Sequence, residues 1–213
     1  FVWSEAEFVT YVANPKKFLA DKLDDNRNVN FAFFGDASVE EGVFHESVNF
    51  AAVQQLPVIF VCENNLFSVY THLSERQPNR DLGMIGEAHG MNAVRLDGNN
   101  VFKVAAAFKD IVKNARIRNE PSLVVMDTYR WREHCGVNFD DHLGYRNSKE
   151  LERWMQHDPV EIASQIVIDA GVLDQGELDA MIMRTRAEVS TYFEEAIKAP
   201  LPNPEMAELY MYA

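Results

Sequence analysis

The chain has 213 residues, enough for one domain and a helical appendage, and 47% of them are hydrophobic with 11% aromatic, so it can bury a core and is not a disordered segment. Its formal net charge is −13 and its pI is about 4.8. Such a surface repels a phosphate backbone and argues against nucleic acid as a partner. No apolar run approaches the roughly 20 residues of a membrane helix.

The N-terminal FVWSEAEFVTYV has no basic region or cleavage signal, and it lacks an initiator Met, as a fragment, a processed product or a partly observed chain would. Asn30 to Phe34 is a short aromatic run ending at Gly35-Asp36 and reads as a buried parallel strand. Ser38-Val39-Glu40-Glu41 has capping-box spacing, with Ser38 as N-cap and Glu41 at N3. Val43, Phe44, Val48, Ala51 and Ala52 give the following helix an apolar stripe. Pro57 opens the next strand, Val58 to Cys62, which stops at Glu63-Asn64-Asn65. A helix is expected over Leu82 to His89, a strand over Ala93 to Leu96 closed by the Asp97-Gly98-Asn99-Asn100 turn, a helix over Val101 to Arg118, and a strand over Leu123 to Thr128.

These alternations predict an α/β fold, a doubly wound, mainly parallel sheet with helices on both faces. Tyr129 to Ser148 is a long loop rich in Arg, His, Asp and Gly, a length that in compact domains marks function or disorder. Three C-terminal helices follow. The second is announced by Asp158-Pro159-Val160-Glu161 and stopped by Gly171; the third runs from about Gln175 to Lys198. Pro200, Pro202 and Pro204 mark an extended tail. The expected division is an α/β domain over 1–150 and a helical extension over 151–213. Two cysteines, Cys62 in a strand and Cys135 in a loop, suit a reducing cytoplasm better than a disulfide framework.

In an open parallel sheet, ligands bind at the carboxyl ends of strands. Gly35-Asp36-Ala37 and Asn64-Asn65 both fall there, separated by 26 residues that carry one helix and one strand. Either turn alone is common. Together they place a carboxylate and an amide oxygen side by side, a donor set that suits Mg²⁺ completed by phosphate oxygens. Asp36 supplies a carboxylate oxygen, Asn65 a side-chain carbonyl, and a nearby main-chain carbonyl such as that of Phe67 a third ligand. The amides of Ala37 and Ser38 are expected to face the phosphates. No G-x-G-x-x-G follows any strand, which makes an NAD-binding Rossmann domain the weaker reading.

The spacing resembles the thiamine-diphosphate motif, Gly-Asp-Gly followed by Asn-Asn. Gly42, Phe44, Glu46, Asn49, Ala51-Ala52, Leu56-Pro57, the run Ile59 to Asn65, Gly90-Met91, Val94 to Asn99, Pro121-Ser122-Leu123, Thr128-Tyr129-Arg130 and Asp158-Pro159 extend the likeness from about Leu19 to the C-terminus. They are similar to the alpha subunit of the 2-oxo acid dehydrogenase E1 component, the group of pyruvate, branched-chain and acetoin dehydrogenases. The resemblance implies a thiamine-diphosphate-binding fold, thiamine diphosphate and Mg²⁺ as cofactors, Asp36, Asn65 and the main-chain oxygen of Phe67 as metal ligands, and Gly35, Ala37 and Ser38 beside the cofactor, with Asn64 ordering the turn. It also implies an E1 beta-type subunit that completes the site in an α2β2 heterotetramer, and a lipoyl acyltransferase as acceptor. The implied reaction is decarboxylation of a 2-oxo acid, or cleavage of acetoin, with transfer of the acyl or hydroxyalkyl group. The rival is a homologue that keeps the fold without oxidative decarboxylation, either non-catalytic or a carboligase.

The sequence departs from the family at three places. Ala37 stands where the family has Gly, which a negative φ tolerates. Tyr129 to Cys135 reads Tyr-Arg-Trp-Arg-Glu-His-Cys where pyruvate-oxidising members read Tyr-Arg-Tyr-His-Gly-His-Ser. Arg132 suits a phosphate but cannot exchange protons near neutral pH, His134 is the better proton-transfer residue, and Cys135 replaces the phosphorylated Ser of mitochondrial members. The bland alternative for His134 is a loop histidine held by Asp140 or Asp141, whereas for Cys135 a functional role as a reactive thiol beside Arg132 and His134 is open. His45 is expected on a helix surface or interface, while His142 and Arg146 are candidates for cofactor or substrate contact. Lastly, the family's Gly-rich segment and phosphate-gripping Arg are not visible in Phe1 to Phe18.

Overall fold

The computed structural model describes Lys22, residues 28–201 and residues 203–207; the expectations for Phe1 to Phe18 lie outside them. Four strands, β1 (Asn30–Gly35), β2 (Val58–Asn64), β5 (Asn92–Asp97) and β6 (Ser122–Asp127), form one wholly parallel sheet in the order β1-β2-β6-β5. A hairpin of two-residue strands, β3 (Phe67–Ser68) and β4 (Thr71–His72), follows β2. The helices are α1 (Gly42–Gln54), α2 (Leu73–Arg76), α3 (Gly83–Ala88), α4 (Val101–Arg118), α5 (Ser148–Met155), α6 (Pro159–Asp169) and α7 (Gln175–Lys198). No described helix is long and apolar enough to cross a membrane.

Period-two alternation in β2 explains why the sheet is covered on both faces. Val58, Phe60 and Cys62 join Phe44, Val48 and Ala51 of α1 and Ile85 of α3 in one core. Ile59 and Val61 join Ile111 and Ala115 of α4 in the other. This is the doubly wound arrangement the strand–helix alternation implies. α4 carries its expected bounds, with Asn100 accepting from the Lys103 amide at its start. Gly86 lets α3 lie against β6, since a Cβ there would stand 2.9 Å from Leu123 Cβ.

Pairing in register brings the carboxyl ends level: Gly35 lies opposite Glu63, Asn64 opposite Asp127, and Asp97 opposite Asp127. β2 runs two residues past its expected end and so carries Asn64 into the ladder. The capping box at Ser38 does not form. Asp36–Glu40 is a 3-10 turn, Ser38 is engaged through its main-chain carbonyl by the Glu41 amide, and α1 starts at Gly42 behind an extended Glu41. The tail is not wholly extended either, because Pro204–Ala207 makes one 3-10 turn.

The chain divides into two compact units between Ala163 and Ser164, within α6. In the first, Asp158 caps α6 through the Val160 amide. In the second, Gly171 adopts φ +66 after α6, and Asp174 with Glu177 forms a reciprocal capping box on α7.

Candidate functional site

Asp36 follows the last residue of β1 and is 1% exposed. Its Oδ1 accepts from the Asn65 main-chain N–H at 3.3 Å, and its Oδ2 accepts from Arg76 Nη2 at 2.5 Å. Asn65 turns the chain straight after β2. Its Oδ1 accepts from the Phe67 amide at 3.0 Å, an Asx-type turn, while Leu66 takes φ 71. Thus the two strand ends place Asp36 and Asn65 in contact. Phe67 closes the turn with its ring edge-on to His72, Tyr129 and Tyr145. Gly35 leaves open space, since a Cβ there would meet nothing within 4 Å. Ala37 lies outside the left-handed region, so its methyl group carries no backbone strain. Ser38 is buried in the same 3-10 turn.

Arg76, at the end of α2, was not foreseen. Its side chain is 10% exposed and reaches three acceptors: Nε gives to the Thr71 carbonyl at 3.2 Å, Nη1 to Glu40, and Nη2 to Asp36. Nothing in the sequence marks it, because it comes eleven residues after Asn65 on a segment without strong periodicity.

A second polar chain runs along the strand ends. Asn64 Nδ2 donates to Asp127 Oδ1 at 2.8 Å, and Arg95 grips both Asp127 oxygens at 2.7 and 2.9 Å. Arg95 also reaches Asp81, whose carboxyl is held below its usual range first by the Gly83 amide and then by Arg95. Asn64 is buried, and its Oδ1 has no hydrogen-bond partner. Asp127 occupies the last position of its strand, level with Asn64 and Asp97, so the strand-end rule that finds Asp36 also finds Asp127. Burial raises the Glu63 carboxyl, and it raises the Cys62 thiol well up, with Asp36 as the next cause.

The loop after β6 has its own interior. Arg146 is buried and donates to the Arg130 carbonyl at 2.5 Å, to the Trp131 carbonyl at 2.8 Å and to Asp140. Tyr145 donates to Asp140 at 2.5 Å, and Arg130 donates to the Val69 carbonyl at 2.7 Å, tying the loop to the β3–β4 hairpin. Burial, then Glu150, pushes the Tyr129 hydroxyl up to about 12, and its ring stacks on Trp154 of α5. Arg146 is therefore occupied within the loop. Asp140 is likewise taken, by Arg146 and Tyr145, which removes it as a partner for His134. His134, Cys135 and His142 lie exposed at the surface of this loop. Arg132 is also exposed, donates to the Val137 carbonyl and lies 4.7 Å over the Phe139 ring. The structure gives neither Arg132 nor His134 a hydrogen bond to Asp36 or Asn65. His45 is half-buried on α1, its ring 5.8 Å from that of His89.

Among the described residues there is no group of three or more His, Cys, Asp or Glu suited to a metal ion. The donor set at the strand ends is of another kind: one buried carboxylate, an adjacent Asn, main-chain groups and an open glycine. Such a sparse oxygen set fits a Mg²⁺ that takes its remaining ligands from a diphosphate and water.

The family model described as "Dehydrogenase E1 component" matches residues 11–205. The chain is 32% identical over 190 residues to the human mitochondrial 2-oxoisovalerate dehydrogenase subunit alpha, covering 89% of this chain and 42% of that protein. It is 32% identical over 195 residues to 2-oxoisovalerate dehydrogenase subunit alpha of Bacillus subtilis, covering 92% and 58%. It is 32% identical over 192 residues to pyruvate dehydrogenase E1 component subunit alpha of Rhizobium meliloti, covering 90% and 54%. The chain thus spans about half the length of the curated relatives it matches.

Proposed function

The chain belongs to the dehydrogenase E1 component family, as an alpha-type member, and on that premise we propose that it is the alpha subunit of an enzyme dependent on thiamine diphosphate and Mg²⁺. The observation that carries this reading is the approach of two adjacent parallel strand ends, where the buried Asp36 carboxylate accepts from the main-chain N–H of Asn65. Asp36 and Asn65 would hold the cation through side-chain oxygens, and Phe67 through its carbonyl. The amides of Ala37 and Ser38 would support the phosphates. The cofactor, when bound, supplies the carbanion stabilisation that decarboxylation of a 2-oxo acid requires.

The chain's own residues position, enclose and exchange protons. The hairpin and the aromatic cluster of Phe67, Tyr129, Tyr145 and Trp154 exclude water from one side of the Asn65 turn. Buried Arg146 and Asp140 fix the backbone from which Arg132 and His134 project. Arg132 is the phosphate or carboxylate contact of that loop, and His134 its proton donor and acceptor. The remainder of the site comes from a beta-type subunit in an α2β2 assembly. The group left after decarboxylation would be oxidised to an acyl group as the lipoyl disulfide of an acyltransferase is reduced, the S–S bond breaking so that one sulfur carries the acyl group and the other becomes a thiol. Both cysteines are free, Cys62 buried and Cys135 exposed, which supports a reducing, cytoplasmic setting.

The second reading, a homologue without oxidative decarboxylation, is favoured by Arg132, which is engaged by Val137 and Phe139 of its own loop. The test is a titration of the full-length protein and its beta-type partner with thiamine diphosphate and Mg²⁺, followed by decarboxylation assays over a panel of 2-oxo acids. The proposal expects saturable binding that Asp36→Ala abolishes, and turnover of at least one acid. Binding without turnover favours the second reading. No binding with an intact partner, or equal binding by Asp36→Ala, contradicts both.

A further inference from the structure

We infer that Arg76 is an exchange residue of this site: a divalent cation competes with its guanidinium for Asp36, and the displaced guanidinium becomes a ligand of the diphosphate. The inference rests on the reading of Asp36 as a cation ligand. Asp36 is 1% exposed, so its charge needs a fixed partner, and Arg76 is the one the fold supplies. The guanidinium is committed, with Nε on the Thr71 carbonyl, Nη1 on Glu40 and Nη2 on Asp36 at 2.5 Å. A divalent ion on Asp36 would place like charges side by side in a poorly hydrated place, so the ion and the arginine disfavour each other.

A diphosphate resolves that conflict. Its oxygens suit the planar fork of a guanidinium, which binds phosphate in bidentate fashion. Glu40 is the more exposed of the two carboxylates that hold Arg76, so the guanidinium has a rim-side partner while it changes acceptors. The residue sits on one helical turn that follows the Asn65 turn and the hairpin, each of which holds one non-glycine residue at positive φ, Leu66 at 71 and Val69 at 52. Such backbone strain is found where a segment has a task beyond packing. The consequence is coupling: the cation alone binds against Arg76, whereas the cation together with diphosphate binds with its help, and each ligand raises affinity for the other equally.

Mn²⁺ binding to the full-length protein with its partner subunit, followed by the electron paramagnetic resonance of free Mn²⁺, reads this directly. It is measured with and without saturating thiamine diphosphate and corrected for Mn²⁺ complexes in buffer. The wild type is expected to gain roughly 10- to 100-fold in Mn²⁺ affinity from thiamine diphosphate, the usual range of such couplings. Arg76→Gln is expected to bind Mn²⁺ alone about tenfold more tightly and to lose most of the gain. Arg76→Lys keeps the charge without the fork, and is expected to match the wild type for Mn²⁺ alone while losing several-fold of the coupling. Unchanged or weaker Mn²⁺ binding by a folded Arg76→Gln overturns the inference, and if that variant does not fold, full coupling in Arg76→Lys does so. Coupling that is absent from the wild type, or equal in wild type and both variants, overturns this inference alone. Failure of Mn²⁺ and thiamine diphosphate to bind at all overturns the functional reading with it.

Discussion

Replacing Asp127 separates two contributions that meet on one carboxylate. Its Oδ1 accepts from Asn64 Nδ2 at 2.8 Å, and both oxygens bind Arg95. Asn64 is 2% exposed and its other polar atom already lacks a partner, so Asp127→Ala leaves the whole amide unpaired in the interior. That costs about 1–3 kcal/mol. The Arg95 side chain is 45% exposed, and solvent screens its pair to roughly 0–1 kcal/mol. The sum is about 1–4 kcal/mol, which for a domain of this size lowers Tm by roughly 2–16 °C. Asp127→Asn keeps an acceptor for Asn64 and forfeits only the ion pair, so its expected loss is under about 1 kcal/mol. Urea denaturation of both variants and of Arg95→Met gives the comparison. If Asp127→Asn proves as costly as Asp127→Ala, or Arg95→Met costs more than Asp127→Ala, the Asn64 amide is not what Asp127 supports and the reasoning fails.

Three other outcomes are expected. Burial raises the Glu63 carboxyl, so the folded chain holds that proton more firmly than the unfolded one. The resulting stabilisation is present below the unfolded value of about 4.3 and is lost as pH rises through the folded value, so Glu63→Gln should stabilise at pH 8 but not at pH 4, as denaturation midpoints at the two pH values will show. Gly86→Ala puts a methyl group 2.9 Å from Leu123 Cβ and should cost about 1–3 kcal/mol in a thermal melt, without changing cofactor affinity. Val69 holds φ 52 at a half-exposed hairpin position, so Val69→Gly should leave Tm unchanged or raise it by up to about 4 °C, whereas Val69→Ile should not raise it.

The sheet was legible because its strands are continuous apolar runs that stop at acidic or amide residues. A run such as Val58–Cys62, buried on both faces, has little alternative to a central parallel strand. Asp36 and Asn65 were legible for the same reason, since strand ends in this topology converge. The hairpin at 67–72 was not, because its strands are two residues long and its turn uses Val69 and Tyr70 in place of Gly or Asn. The Ser38 capping box failed because a capping signal is local, whereas the turn that carries Asp36 is held from 40 residues away by Arg76. Arg95 with Asp127 and Arg146 with Asp140 show the same limit. A charged residue's partner is set by tertiary register, which composition and spacing do not encode.

The most direct measurement is a crystal structure of the full-length protein with its partner, grown with Mg²⁺ and thiamine diphosphate. Asp36 and the side-chain oxygen of Asn65 are predicted to share one ion at about 2.0–2.1 Å, the Asn65 oxygen using the lone pair that the Phe67 amide leaves free. An ordered diphosphate whose metal touches neither residue would contradict the account.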